Sequence, residues 1–385
     1  MAKFPITLTG SRLGWISILC WGLAPNSASA WVKHESLMPA ILQNLRPSTA
    51  EKLKRPFQTF CPADDQTFFA RLVPELDLNP SAKLPPTSER QCLAHQSISG
   101  FFILNNQFVD DPDLGIDQNL PESSDPKGDR KWMGGKTGIG SQGFRHQYFG
   151  GWQITKPVAT FQIPPHTLGL APDRIQLIAS LARKTIREGN LVWGYRLLAW
   201  SLHYIQDLSQ PFHTTQIIST QMVPWTSLAA WPPSQGFDHL VKATTHSIFN
   251  YHWAIEGYTL WQLTNNQKNP NFTECLATPD TKSNLLARLP TDHGNDYPFA
   301  VAHAMADASI EIAERLGKAE IAFFGKKLKT PEVSLPENRG NPDYAELTKN
   351  PELAATRKDL LEVSCIALAN ASVGSRALMD WALEP

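Results

Sequence analysis

The feature that most restricts the fold is the run from Asp173 to about Asp207, where apolar residues recur at helical spacing. Ile175, Ile178, Ala182 and Ile186 form one stripe, and Leu191, Tyr195, Leu198, Leu202 and Ile205 form a second. The period predicts two helices, with Gly189-Asn190 marking the break between them. An alanine-rich pattern from Phe299 to about Phe324, interleaved with Glu311, Glu314 and Arg315, reads as an amphipathic helix. A third pattern runs from roughly Pro351 to Trp381, with Gly374 a candidate kink. Strand alternation never persists. The chain therefore reads as all-α, with long irregular loops between about Phe57 and Pro172, where proline, glycine and aspartate are frequent and apolar stretches such as Phe101 to Leu104 are brief.

The amino terminus has a different character. Lys3 and Arg12 precede an apolar run from Leu13 to Leu23, followed by Pro25 and the small residues Ser27-Ala28-Ser29-Ala30. This reads as a cleaved secretory signal over residues 1–30, since the apolar run is far shorter than the roughly 20 residues that span a bilayer. Cleavage after Ala30 exposes Trp31, leaves 31–385 as one domain, and places the product in the periplasm or medium. The full chain carries 35 basic and 36 acidic residues. That near-balance steers no polyanion and gives no electrostatic sign of nucleic acid. Cys61, Cys92, Cys275 and Cys365 remain after cleavage, and in an oxidising compartment two disulfides are expected. Four cysteines allow three pairings, of which the short separation favours Cys61 with Cys92, and their scatter argues against a zinc-thiolate site.

The densest chemical signal is Ser201-Leu202-His203-Tyr204-Ile205-Gln206-Asp207-Leu208-Ser209-Gln210-Pro211-Phe212-His213. His203 and Asp207 are four apart on a helix and so share a face. Pro211 ends that helix, which lets His213 turn back toward the same face. His252 and Glu256 repeat the spacing downstream. Each pair alone is a common helical polar pair, but imidazole and carboxylate together suit zinc. His146 follows a glycine-rich loop. His34 stands three residues past Trp31, where a surface position is the default. His239 and His246 are rival partners for the downstream pair. Between Ser219 and Phe237, Pro224, Trp225, Trp231 and Pro232 favour a packed connection over a pocket rim. Asn271-Phe272-Thr273 and Asn370-Ala371-Ser372 fit the glycosylation triplet.

Taken together, Trp31 behind its cleavage signal and the run from His203 to His213 resemble the bacterial zinc-dependent phospholipases C, whose other branch is the single-strand-specific nucleases. The resemblance extends in outline from Trp31 to the carboxy-terminal helix and implies a phospholipase C/nuclease-like helical domain with three zinc ions. One zinc falls to an aspartate with His146, His203 and Asp207, and a second to His213, His252 and Glu256. The third falls to the Trp31 amine and carbonyl with His34 and a shared Asp207. Asp110, Asp111, Asp113 and Asp117 all precede His146, and Asp113 matches the family pattern best, as ligand and as the catalytic group that orients or deprotonates the attacking water. Glu256 and Tyr204 resemble the phospholipase branch, whereas the insertion from Gln118 to Gln142 is longer than the family's usual spacing. The implied activity is hydrolysis of a phosphodiester, most directly the glycerol-phosphate bond of a phospholipid, by a monomer in peripheral contact with a membrane. The alternatives are a nuclease or 3′-nucleotidase with the same metals, and a zinc-binding protein without turnover.

Overall fold

In the computed structural model of the protein, the two helices expected around Gly189 are α6 (Ala171–Arg187) and α7 (Leu191–Ser209). Gly189 adopts φ +86°, a left-handed value that favours glycine, and the Asn190 side chain accepts from the Trp193 amide to start α7. Structure is described for residues 33–58, 63–79, 97–118, 120–125, 127–132, 143–149, 152–156, 159–163, 167–216, 218–226, 233–265 and 271–384. Trp31, the expected cleavage site, and Cys61 and Cys92 lie outside them.

Ahead of α6 lie the short helices α1 (Met38–Ile41), α2 (Pro47–Lys54), α3 (Ala63–Glu75), α4 (Gly100–Leu104) and α5 (Gly143–His146). After α7 come α8 (Pro233–Asn265), α9 (Asn271–Ala277), α10 (Tyr297–Phe324), α11 (Tyr344–Lys349) and α12 (Ala354–Leu383). The fold is all-α. One correction concerns the loop region, which also contains two antiparallel strand pairs: β1 (Pro56–Gln58) with β2 (Ser97–Ser99), and β3 (Trp152–Lys156) with β4 (Ala159–Ile163).

Helix α7 is buried on every side from Trp193 to Ser209, packed by α4, α6, α10 and α12. A helix with no solvent face belongs at the centre of a bundle. Its neighbours approach closely where side chains vanish. A β-carbon at Gly194 would fall 2.4 Å from Ile186 of α6, so Gly194 sets that crossing. Gly374 is not a kink but a second such point. Helix α12 runs through it, and a β-carbon there would meet Met305 of α10 at 2.5 Å and Ile205 of α7 at 3.0 Å.

Cys275 of α9 is bonded to Cys365 of α12, with Cα atoms 5.5 Å apart, which settles one of the expected disulfides. Asn370 is fully buried and hydrogen-bonded to Ser283 and Asn284, so its triplet offers no glycan acceptor in the folded chain. Among the described residues no helix is long and apolar enough to cross a membrane.

Candidate metal centre

Helix α7 delivers His203 and Asp207 to one point, as their four-residue separation requires, with His203 Nε2 3.3 Å from Asp207 Oδ2. The last turn stops at Ser209. Pro211 opens a 3-10 turn, Pro211–His213, that is stitched to the segment after α5: His213 Nδ1 donates to the His146 carbonyl at 3.0 Å, and the Tyr148 amide donates to the His213 carbonyl at 2.8 Å. His146 thereby comes against α7, its Nδ1 2.8 Å from Asp207 Oδ2 and 3.0 Å from His203 Nε2. His34 is not at the surface. It is fully buried, with Nδ1 donating to Gln206 Oε1 at 2.9 Å and Nε2 3.3 Å from Asp207 Oδ1.

The four aspartates before His146 are separated by their partners. Asp110 accepts from the Glu35 amide, and Asp111 accepts from the Trp200 indole at 3.0 Å with the Arg196 guanidinium at 3.6 Å. Asp117 is held by Arg145 at 2.9 Å, by Arg174 at 3.4 Å and by the Tyr204 hydroxyl, and it lies 3.2 Å from His146 Nε2. Asp113 faces the imidazole atoms that turn inward, 3.8 Å from His146 Nδ1 and 3.7 Å from His203 Nε2. It sits on a π-helical turn, Pro112–Ile116, broken at Gly115 by φ +151°, and keeps 12% exposure where Asp117 and Asp207 have none.

Across the cluster, helix α8 presents His252 and Glu256, with Nε2 2.6 Å from Oε1, and the His213 ring lies 5.1 Å from that of His252. His239 is exposed and His246 donates to the Val333 carbonyl at 2.6 Å, so neither rival belongs here. Three groups result: His34, Asp113 and His203; His146, His203 and Asp207; His213, His252 and Glu256. Within each group the ligand atoms lie within 4.8 Å of one another.

A tetrahedral zinc with bonds of about 2.0 to 2.1 Å to nitrogen and oxygen sets its ligand atoms roughly 3.4 Å apart, and the separations of 2.8 to 3.8 Å around Asp207 bracket that spacing. Buried polar atoms also lack hydrogen bonds at the points where ions fit: His34 Nε2, Asp207 Oδ1, His213 Nε2, His252 Nε2 and both Glu256 oxygens. Leaving such groups unsatisfied costs several kcal/mol each, of the order of a lost charged hydrogen bond or more. A bound cation removes that cost. The other ring nitrogens of His34, His146 and His213 face Gln206 Oε1, Asp117 and the His146 carbonyl, the outer contacts that fix a ligating imidazole's orientation.

The electrostatics differ across the cluster. Burial alone would lower His146, but Asp117 and Asp207 outweigh it and lift the ring to about 10. Burial works against ionised Asp207 too, yet His203 and His146 hold it well below the carboxylate range. His213 and His252 are instead pushed down to about 3 by burial, and burial raises Glu256 well above the usual range. Sequence reasoning missed two features. One is the pair Arg145 and Arg174 behind Asp117. The other is Glu320 on α10, fully buried without a hydrogen bond and raised by burial and by Glu256. An acid inside an otherwise apolar stretch, Ala319 to Phe324, was the available signal for Glu320. No protein-family model matches this chain, and no curated protein or solved structure matches it either.

Proposed function

We propose that this chain is an exported zinc-dependent phosphoric ester hydrolase of phospholipase C type, which cleaves the glycerol-phosphate bond of a phospholipid at its surface. The observation that carries this reading is the convergence of three buried imidazole and carboxylate groups, two of which share His203. Nitrogen and oxygen donors without thiolate suit zinc at a hydrolytic centre. Bound there, such ions supply Lewis acidity and lower the pKa of water toward neutrality, which phosphate-ester hydrolysis requires. The resemblance adds the Trp31 amine and carbonyl, freed by removal of the signal, as further donors that would join His34.

The chain's own residues divide the remaining work. Gln206 holds His34, Asp117 holds His146, and the His146 carbonyl holds His213, so the inner nitrogens arrive oriented. Asp113, the partly exposed carboxylate of the cluster, orients a water and takes its proton. Leu114, next in sequence, leaves 47% of its surface in solvent. An apolar side chain beside the catalytic acid favours a lipid over a nucleic acid.

Metal analysis of the processed protein should give one zinc per group, three per chain. The same preparation should release diacylglycerol from phosphatidylcholine vesicles and leave single-stranded DNA intact. DNA cleavage without diacylglycerol release would make the protein a nuclease. Stoichiometric zinc with no hydrolysis of a chromogenic bis-ester would make it a zinc-binding protein without turnover.

A further inference from the structure

A cavity of about 550 Å³ lies where the carboxy-terminal ends of α2, α6 and α12 meet the start of α7. Tyr195 in its wall is eight residues before His203 on α7, about 12 Å along the helix axis, so this is a separate place from the metal cluster. Its lining is apolar: Ile186 of α6, Leu191 and Tyr195 of α7, and Leu383 of α12. Lys52, Arg55 and Arg187 join that lining with three positive charges.

Among the described residues these cations have little to neutralise them. Lys52 donates to the Leu383 carbonyl and Arg187 to the Glu384 carbonyl at 3.2 Å, both uncharged acceptors. The Glu384 carboxylate in the same wall is taken up by Arg46 at 3.4 Å and His293 at 3.2 Å. Among the described residues no carboxylate forms an ion pair with Lys52, Arg55 or Arg187. Helix ends cancel only part of the charge. Each of the three carboxy-terminal ends contributes the equivalent of about half a negative charge, and the amino-terminal end of α7 returns about half a positive one. Three full positive charges exceed that. The volume falls within the roughly 300 to 1,000 Å³ of small-molecule sites.

We propose that this cavity binds a single-chain anionic amphiphile, with a phosphate or carboxylate head on Arg55 and Arg187 and the hydrocarbon chain against Ile186, Leu191 and Tyr195. The charge excess selects the head, and the apolar wall selects the tail. Lys52 keeps two free N–H groups for the same head. The site stands whether or not the metal centre hydrolyses phosphodiesters.

The test is isothermal titration calorimetry of the full-length protein with dodecyl phosphate below its micelle-forming concentration. One saturable site per chain is expected, weakened about tenfold or more in the double variant Arg55→Ala/Arg187→Ala, because two charge-assisted contacts are lost. Both arginines are exposed, so the melting temperature should not change. Inorganic phosphate and dodecyl maltoside, which carry the head or the tail alone, should each bind more weakly. Absence of saturation overturns the proposal. So does binding that the double variant leaves undiminished, which places the ligand at the metal centre or elsewhere. Equal affinity for inorganic phosphate or for dodecyl maltoside also overturns it, by removing one half of the recognition.

Discussion

Around Asp207, ligating groups are embedded among charges of both signs, whereas His213, His252 and Glu256 are closed off by burial, with the Phe212 ring stacked on His252 at 4.9 Å. The residue types are the same and the outcomes opposite. On the first side Asp117 and Asp207 overcome burial and lift the His146 imidazole to about 10, while His203 and His146 hold Asp207 ionised in turn. On the second side desolvation wins, so neutral imidazoles face a carboxyl group that resists ionisation. The first side holds itself together by its own ion pairs, and an arriving cation must displace the His146 proton. The second needs a cation to ionise its carboxylate, and Glu256 in turn raises the buried Glu320.

The largest expected effect comes from Asp207→Ala, which removes the carboxylate facing His34, His146 and His203. Hydrolysis should fall on the order of a thousandfold, since metal-based charge stabilisation is worth several kcal/mol. Metal analysis should still find zinc at His213, His252 and Glu256. Loss of all zinc together would show that the two sides do not bind independently.

A smaller effect separates the sides by pH. In the metal-free protein His213 and His252 are depressed to about 3 against an ordinary 6.5, so the unfolded chain binds protons that the folded chain refuses. Stability from these rings is complete above pH 6.5 and is lost as pH falls toward 3. Glu256 is raised, so its contribution has the opposite sign: present below pH 4.5 and lost as pH rises. Denaturant titrations should therefore show a steeper gain with pH between 3 and 4.5 than between 4.5 and 6.5, and Glu256→Gln should reduce the difference, leaving the share that the raised acids Glu320 and Asp110 contribute with the same sign. An unchanged slope in that variant would contradict the account of the second side.

The mildest change is Asp117→Asn, which keeps the shape behind His146 but removes the carboxylate that orients it. Zinc affinity on the Asp207 side should drop about 10-fold to 100-fold in a chelator competition, with the His252 side unaffected. Loss of one zinc altogether would make Asp117 a ligand and displace Asp113 from that role.

Much of this was legible in the chain because helices turn spacing into position. His203 with Asp207 and His252 with Glu256 are local pairs, and the apolar stripes predict helices whose limits lie within a few residues of α6, α7, α10 and α12, although none announces α8, which carries the second pair. Resemblance alone pointed to His34 and Asp113, since no local period carries either one to α7. The Asp117, Arg145, Arg174 and Tyr204 network was invisible for the same reason: its members are up to 87 residues apart and meet only after the loops have folded over the bundle. The β3 and β4 hairpin was missed although Trp152-Gln153-Ile154-Thr155-Lys156 and Ala159-Thr160-Phe161-Gln162-Ile163 pair in register. Five residues of alternation are too few to stand out in a stretch rich in proline and glycine.

Because α7 has no face in solvent, the groups it contributes meet the outside only past the segments packed over them. The turn bearing Asp113 and Leu114 is the partly exposed edge of the cluster, and on the proposed reading a substrate approaches there. Under the proposed function, the innermost helix holds the ions and preference among substrates falls to the more exposed outer segments.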